Sequence, residues 1–245
     1  MPRVKNSCAG SSINRRRASG LPAPRTSGPK RNSAQRTMKI HQVADAVRYS
    51  SMTTAQIREA FLIDALHQPG SLNLAYVDLD RAVVGIAAPL GTNLALEADE
   101  TLRANYFLER RELGALNIGG RGIIRVDGSE YVLDNLDCLY LGRGVENVSF
   151  ESADTSSPAI FYLLSYSAHS SYPTTLIRRN EANPIELGSA ESCNRRAVCK
   201  YIHLDGARSC QLVMGVTHLH PGSAWNTMPA HTYAPFGDLH VFQSW

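Results

Sequence analysis

The segment Trp225-Asn226-Thr227-Met228-Pro229-Ala230-His231-Thr232 carries the densest chemical signal of this 245-residue sequence. A histidine just after a buried aromatic and a proline turn can present an imidazole nitrogen into the mouth of a β-barrel, where it would act as a metal ligand. One imidazole does not hold a catalytic zinc, which takes about three protein ligands and keeps a further position open. After Tyr233 twelve residues follow, Ala234 to Trp245, with one more histidine at His240 and no glutamate. Further ligands must come from elsewhere. His218-x-His220 offers a second pair of imidazoles, but it precedes the Pro221-Gly222 turn and stands apart from the His231 segment.

Two arginine positions could bind a planar anion. In Glu109-Arg110-Arg111-Glu112 the guanidinium fork of Arg110 suits a substrate carboxylate, while the preferred reading of the four charges is an ion-pair network at a subunit or domain contact. Arg143 stands between Gly142 and Gly144, which allow close approach of a ligand, or it supports a turn. Gly119-Gly120-Arg121-Gly122 is not a phosphate loop, because it leads into a β-strand rather than the N-terminus of a helix.

The elements that must position these groups are mostly strands. One helix is expected to begin near Thr53, with Gln56 completing a capping box. It should run through Ile57, Ala60, Phe61 and Ala65 on one face and stop at Gln68-Pro69-Gly70. Short β runs then follow at Leu72–Val77, Arg81–Ala87, Ala115–Ile118, Gly122–Val126, Glu130–Leu133, Asp137–Leu141 and Ala159–Ser165. Asp127-Gly128 predicts a two-residue hairpin turn, which needs positive φ at both central positions. A second set starts at Arg195–Ile202 and Gln211–Thr217. Short antiparallel strands at regular spacing imply a sandwich or barrel.

Composition excludes several function classes. No apolar run is long enough to span a bilayer as a helix. Met1 to Thr37 holds nine of the 25 Lys and Arg and no acid, so the remainder has 16 basic against 22 acidic residues, a balance of −6. An acidic body does not supply the basic face that nucleic-acid binding needs. The tail itself, rich in Ser, Arg, Pro and Gly, is expected to be disordered. Its Arg15-Arg16-Arg17 run is followed by no apolar core, which argues against a targeting signal, and Met38 is a candidate natural start. Five cysteines, Cys8, Cys138, Cys193, Cys199 and Cys210, form no C-x-x-C pair, so reduced, mostly buried thiols and a cytoplasmic setting are expected.

The sequence resembles the 5-keto-4-deoxyuronate isomerases, or 4-deoxy-L-threo-5-hexosulose-uronate ketol-isomerases. The resemblance is carried by Tyr106-Phe107-Leu108-Glu109-Arg110-Arg111-Glu112-Leu113-Gly114, Asn117-Ile118-Gly119-Gly120 and Val126-Asp127-Gly128. It continues in Leu139-Tyr140-Leu141-Gly142-Arg143-Gly144, in Ala168-His169 with Tyr172-Pro173-Thr174, and in Trp225 to Thr232. It covers about Met38 to Thr232. The resemblance implies a mainly β, two-cupin (jelly-roll barrel) chain with a short N-terminal helix, usually a hexamer, with zinc held in the second barrel by three histidines and a glutamate. On that reading residues 1–37 are a basic tail, 38–185 the first cupin-like domain, 186–233 a partial second one, and 234–245 an off-pattern end such as a shifted reading frame would produce.

Of the family's metal ligands His231 matches, while Tyr233 stands where the second histidine belongs. The activity implied is the conversion of 5-keto-4-deoxyuronate to 3-deoxy-D-glycero-2,5-hexodiulosonate in pectin and polyuronide catabolism, through an enediol that zinc stabilises. The catalytic base is not identifiable. With the ligand set incomplete, this chain is expected to be weakly active or inactive. The alternatives are a non-catalytic cupin fragment and a sugar-binding module. Arg143 and Arg110 are the substrate candidates, a small uronate and further copies of the chain are the expected partners, and no membrane is involved.

Overall fold

The computed structural model describes residues 37–204 and 206–225; the tail, His231, Tyr233, His240 and the C-terminal stretch lie outside them. The described chain opens with β1 (Lys39–His41), α1 (Ala46–Tyr49) and α2 (Thr54–Phe61). The capping box forms as expected: Thr53 N donates to Gln56 Oε1 at 2.8 Å and Gln56 N donates to Thr53 Oγ1 at 3.4 Å. The helix differs from expectation in length and in burial. It leaves the helical region at Leu62 (φ −108°), and Ala65 takes φ +57°. None of its residues is buried. The extended segment after the helix does the packing instead, through Ile63 and Leu66 against the body, and Leu66 O accepts from Asn73 Nδ2 at 2.9 Å.

The strands that follow are β2 (Ser71–Val77), β3 (Ala82–Ala88), β4 (Leu94–Ala95), β5 (Arg111–Asn117), β6 (Gly122–Val126), β7 (Ser129–Leu133) and β8 (Cys138–Leu141). After them come β9 (Val148–Ser152), β10 (Phe161–Ser167), β11 (Thr175–Ile177), β12 (Ile185–Leu187), β13 (Arg196–Ile202) and β14 (Met214–Leu219). They form a seven-stranded sheet in the order β1-β2-β3-β10-β5-β8-β11, a four-stranded sheet β4-β9-β6-β7 and a three-stranded sheet β12-β13-β14. Pairings are antiparallel except β1 with β2. Asp127 (φ +45°) and Gly128 (φ +87°) make the expected hairpin turn, with Val126 opposite Ser129.

The seven-stranded sheet is covered on both faces, so β3 and β5 are buried along their whole length. On one face Leu72, Leu113, Leu139 and Phe161 pack against Ile124, Leu133 and Phe150 of the four-stranded sheet. On the other, Val84, Leu116, Tyr140 and Leu164 pack against Cys199, Tyr201, Ile202, Leu212 and Met214. The fold is mainly β, with few helical residues, and the packing of its sheets fits the jelly-roll expected of a cupin. β12, β13 and β14, from the stretch expected to begin a second barrel, form the three-stranded sheet.

Close contact across the second face depends on Gly114. A Cβ there would lie 2.6 Å from Met214 Sδ and 3.0 Å from Ile202 Cδ1, so a larger residue at 114 must displace these side-chain ends where the three-stranded sheet seats on β5.

Candidate functional site

Successive side chains of a strand point to opposite faces, and because both faces of β5 are covered, both Arg111 and Glu112 are buried, at 5% and 0% exposure. Glu112 faces the three-stranded sheet. Its carboxylate accepts from Cys210 N at 2.7 Å, Gln211 N at 2.6 Å and Leu212 N at 2.7 Å, and from Tyr140 Oη at 2.7 Å. Burial, followed by the bond to Glu112, pushes the Tyr140 phenol well up, so it remains a neutral donor. The sequence predicts for this motif an ion-pair network at a subunit or domain contact; Glu112 is held by backbone donors of residues 210–212 instead. Tyr201 Oη adds a bond to Leu136 O at 2.7 Å across the same junction. The imidazole of His169 lies beside the Cys210 loop, with Nδ1 3.2 Å from Cys210 Sγ.

Arg111 faces the sandwich side. Its Nε donates to Ser165 Oγ at 3.1 Å, and its Nη2 donates to Arg81 O at 2.6 Å and to Ser165 O at 2.8 Å. Burial lowers its pKa to about 10, so it stays protonated at neutral pH. Arg110, the sequence-derived substrate candidate, is exposed and touches Glu109 at 3.7 Å. Arg143 is exposed as well and is spent on main-chain carbonyls, donating from Nε to Glu109 O at 3.0 Å and from Nη1 to His169 O at 3.1 Å. That is the geometry of a turn support. Arg110 and Arg143 are thus joined through Glu109.

His218 and His220 line a cleft of about 970 Å³ between the β8–β11 end of the large sheet and the three-stranded sheet. The register places Glu186, Ala197 and His218 in one row across β12, β13 and β14. His220 Nε2 lies 2.8 Å from Glu186 Oε2. His218 Nε2 is buried without a partner among the described residues, and burial, then Arg179 and His220, lower the His218 pKa. Asp137 holds the opposite wall, accepting from Arg178 Nη1 at 2.7 Å and from Arg179 N at 2.8 Å. Arg121 and Asp134 pair at 2.6 Å beside it.

The zinc implied by the resemblance would be held at His231, outside the described residues, and no second site for it forms among the described ones. Among the described residues no three His, Cys, Asp or Glu groups converge to hold a metal ion. His220 is taken by Glu186, and Cys199 is buried on the same face with its thiol pKa raised by burial. His231 and His240 lie outside the described residues. Among the described residues four cysteines are free, Cys138 and Cys199 buried, Cys210 half-buried and Cys193 exposed. No helix among the described residues is long and apolar enough to cross a membrane.

Sequence reasoning missed the Glu112 clamp, the burial of Arg111 and the Cys210–His169 contact. The clamp joins residues about one hundred positions apart, for which a single sequence holds no local signal. The burial of Arg111 has no local signal either, because its neighbours Arg110 and Glu112 are charged and it is buried only because both faces of β5 are covered.

Comparison with known proteins agrees over most of the chain. The KduI/IolB family profile matches residues 66–234. A 4-deoxy-L-threo-5-hexosulose-uronate ketol-isomerase of Halalkalibacterium halodurans is 46% identical over 198 residues, covering 81% of this chain and 71% of that protein. One from Lachnoclostridium phytofermentans is 47% identical over 80% of this chain and 71% of its own length. A third, from Shouchella clausii, is 48% identical over 76% of this chain and 67% of that protein. Among solved structures, an IolB-like protein of Salmonella typhimurium aligns over 49% of this chain and 43% of its own at 12% identity, with a TM-score of 0.37. A cupin protein of Bacteroides fragilis aligns over 38% of this chain and 72% of its own at 21% identity, with a TM-score of 0.28. Both structural likenesses are slight.

Proposed function

The chain belongs to the KduI/IolB family, and on that premise we propose that it is built as a ketol-isomerase of 5-keto-4-deoxyuronate. The observation that carries the reading is identity of 46–48% to proteins named for that reaction, over about 80% of the chain. In the reaction a base removes the proton on the carbon next to the carbonyl, an enediol forms, and a proton returns at the neighbouring carbon. The product is the isomeric ketone, 3-deoxy-D-glycero-2,5-hexodiulosonate, and no oxidant or reductant is consumed. The pathway is the catabolism of pectin and related polyuronides, and the free thiols support a cytoplasmic setting.

Zinc enters this reading through His231 as its expected ligand. The described residues offer no converging set of donors, so the steps above are not routed through the metal. Tyr233 in place of the second histidine favours a second reading, a uronate-binding cupin without turnover. A phenol with an ordinary pKa of about 10 is neutral near pH 7 and a poor substitute for an imidazole. Assay of the purified chain with 5-keto-4-deoxyuronate and added zinc separates the two. Turnover supports the isomerase, and uronate binding that survives chelation without turnover supports the binding module. Self-association, up to the hexamer of the resemblance, is the proposed assembly.

A further inference from the structure

Among the described residues, Arg111 is a buried cation with no carboxylate paired to it. Its side chain is 5% exposed, and its three hydrogen bonds go to a hydroxyl and two carbonyl oxygens, all neutral. Its remaining nitrogen, Nη1, has no partner among the described residues. A buried charge ordinarily finds an opposite charge, because desolvation without compensation is costly. The alternative escape, loss of the proton, is closed, since the guanidinium titrates at about 10.

The space in front of Arg111 is a cavity of about 230 Å³ that also takes Arg81 and Arg110 into its wall, with Tyr76, Thr101 and Ser167 beside them. None of its lining residues is acidic. Of the acidic side chains nearby in sequence, Glu109 lies 3.7 Å from Arg110, Glu112 is held on the other face of β5 by Cys210, Gln211 and Leu212, and Asp99 accepts from Thr101 N at 2.9 Å and Oγ1 at 2.7 Å. The titratable groups that act on Arg111 are phenols, those of Tyr76 and Tyr166, and not carboxylates. The turn bearing Arg81 is itself unusual: Asp80 and Arg81 are both left-handed (φ +52° and +54°), and that geometry aims the Arg81 carbonyl at Arg111.

We propose that this cavity, at the start of β5 on the sandwich side, binds a small oxyanion held by Arg111 at its base and by Arg81 and Arg110 at its mouth. A planar guanidinium offers two parallel donors to a carboxylate or phosphate, and the hydroxyls of Tyr76 and Ser167 supply polar neighbours. The volume lies below the about 300–1,000 Å³ usual for drug-sized ligands. The occupant is therefore a free anion or the acidic end of a larger molecule, such as a sugar acid. The inference does not rest on the isomerase reading, because it uses neither His231 nor a metal.

Isothermal titration of the full chain tests it, in low-salt buffer with a chelator present, using inorganic phosphate and D-galacturonate as separate probes. One-to-one binding of at least one probe is expected, weakened at least tenfold in the Arg81→Gln/Arg110→Gln variant. These two side chains are exposed, so the fold should survive, and Arg111→Lys adds a version that keeps the charge and loses the fork. Arg48→Gln/Arg58→Gln removes the same charge from the helices and should bind like the parent. Binding of galacturonate alone identifies a sugar acid, and binding of phosphate alone identifies a phosphate. The proposal is overturned if neither probe binds one to one, if the cavity variant binds like the parent, or if both double variants lose affinity equally. Because metal is absent throughout, failure here leaves the isomerase reading standing, and failure of that reading leaves this one.

Discussion

The seven-stranded sheet and the three-stranded sheet obey different rules. The first is covered on both faces, and β3, β5 and β8 are buried throughout. The second buries Ala197, Cys199, Tyr201 and Met214 against the first, and turns Ile185, Leu187 and Leu219 outward at 43%, 41% and 46% exposure. One sheet makes its own core with the four-stranded sheet. The other is held mainly by what it borrows: the Glu112 clamp, the Gly114 seat and the Tyr201 bond. Order in the second region should therefore be conditional on single residues of the first, and the reverse should not hold.

The largest expected effect is that of Glu112→Ala. It leaves three backbone N–H groups and the Tyr140 hydroxyl without their acceptor, at a cost of about 3 kcal/mol or more. Hydrogen exchange should speed up sharply in β13 and β14 while β6, β7 and β9 keep their protection. Loss of protection in both regions together would break the comparison. Gly114→Val comes next, since its side chain enters the space of Met214 and Ile202; overpacking of this kind costs about 1–3 kcal/mol. Its melting curve should show an earlier transition for the docked sheet. Tyr201→Phe removes one bond and should cost about 1 kcal/mol, read as a shift of the chemical denaturation midpoint at unchanged slope.

The smallest effect is on pH dependence. The pKa of His218 is lowered by burial, Arg179 and His220, and that of His41 by burial and Lys39. A histidine whose folded pKa lies below its unfolded one takes up its proton first in the unfolded chain. Stability is therefore whole above the ordinary value of about 6.5 and falls as pH drops through that value toward the folded pKa. Thermal melts between pH 7.5 and 5 should show this decline. His218→Gln should flatten the part belonging to the docked sheet and His41→Gln the part belonging to β1; a decline unchanged in both variants would contradict the assignment.

How far the sequence could be read follows the same division. Signals confined to a few residues were legible: the Thr53–Gln56 box, the Asp127-Gly128 turn and the long apolar strands. The short strands β1, β4, β11 and β12 were not, because two or three residues carry no periodicity. The helix face at Ile57, Ala60 and Phe61 has the right spacing, yet none of its residues is buried, and Phe61 meets the Tyr49 ring edge-on at 5.9 Å. At the site, Arg110 and Arg111 are indistinguishable as letters. Their roles separate once β5 is covered on both faces, which buries Arg111 and leaves Arg110 at the rim.

The central proposal is that the chain is built as a ketol-isomerase, with the expectation that Tyr233 at the second ligand position beside His231 leaves it weakly active or inactive. The direct measurement is zinc content per chain together with turnover of 5-keto-4-deoxyuronate by the purified protein with added zinc. The account predicts zinc well below one per chain and little or no turnover. One zinc per chain, with turnover abolished by His231→Ala, would contradict it.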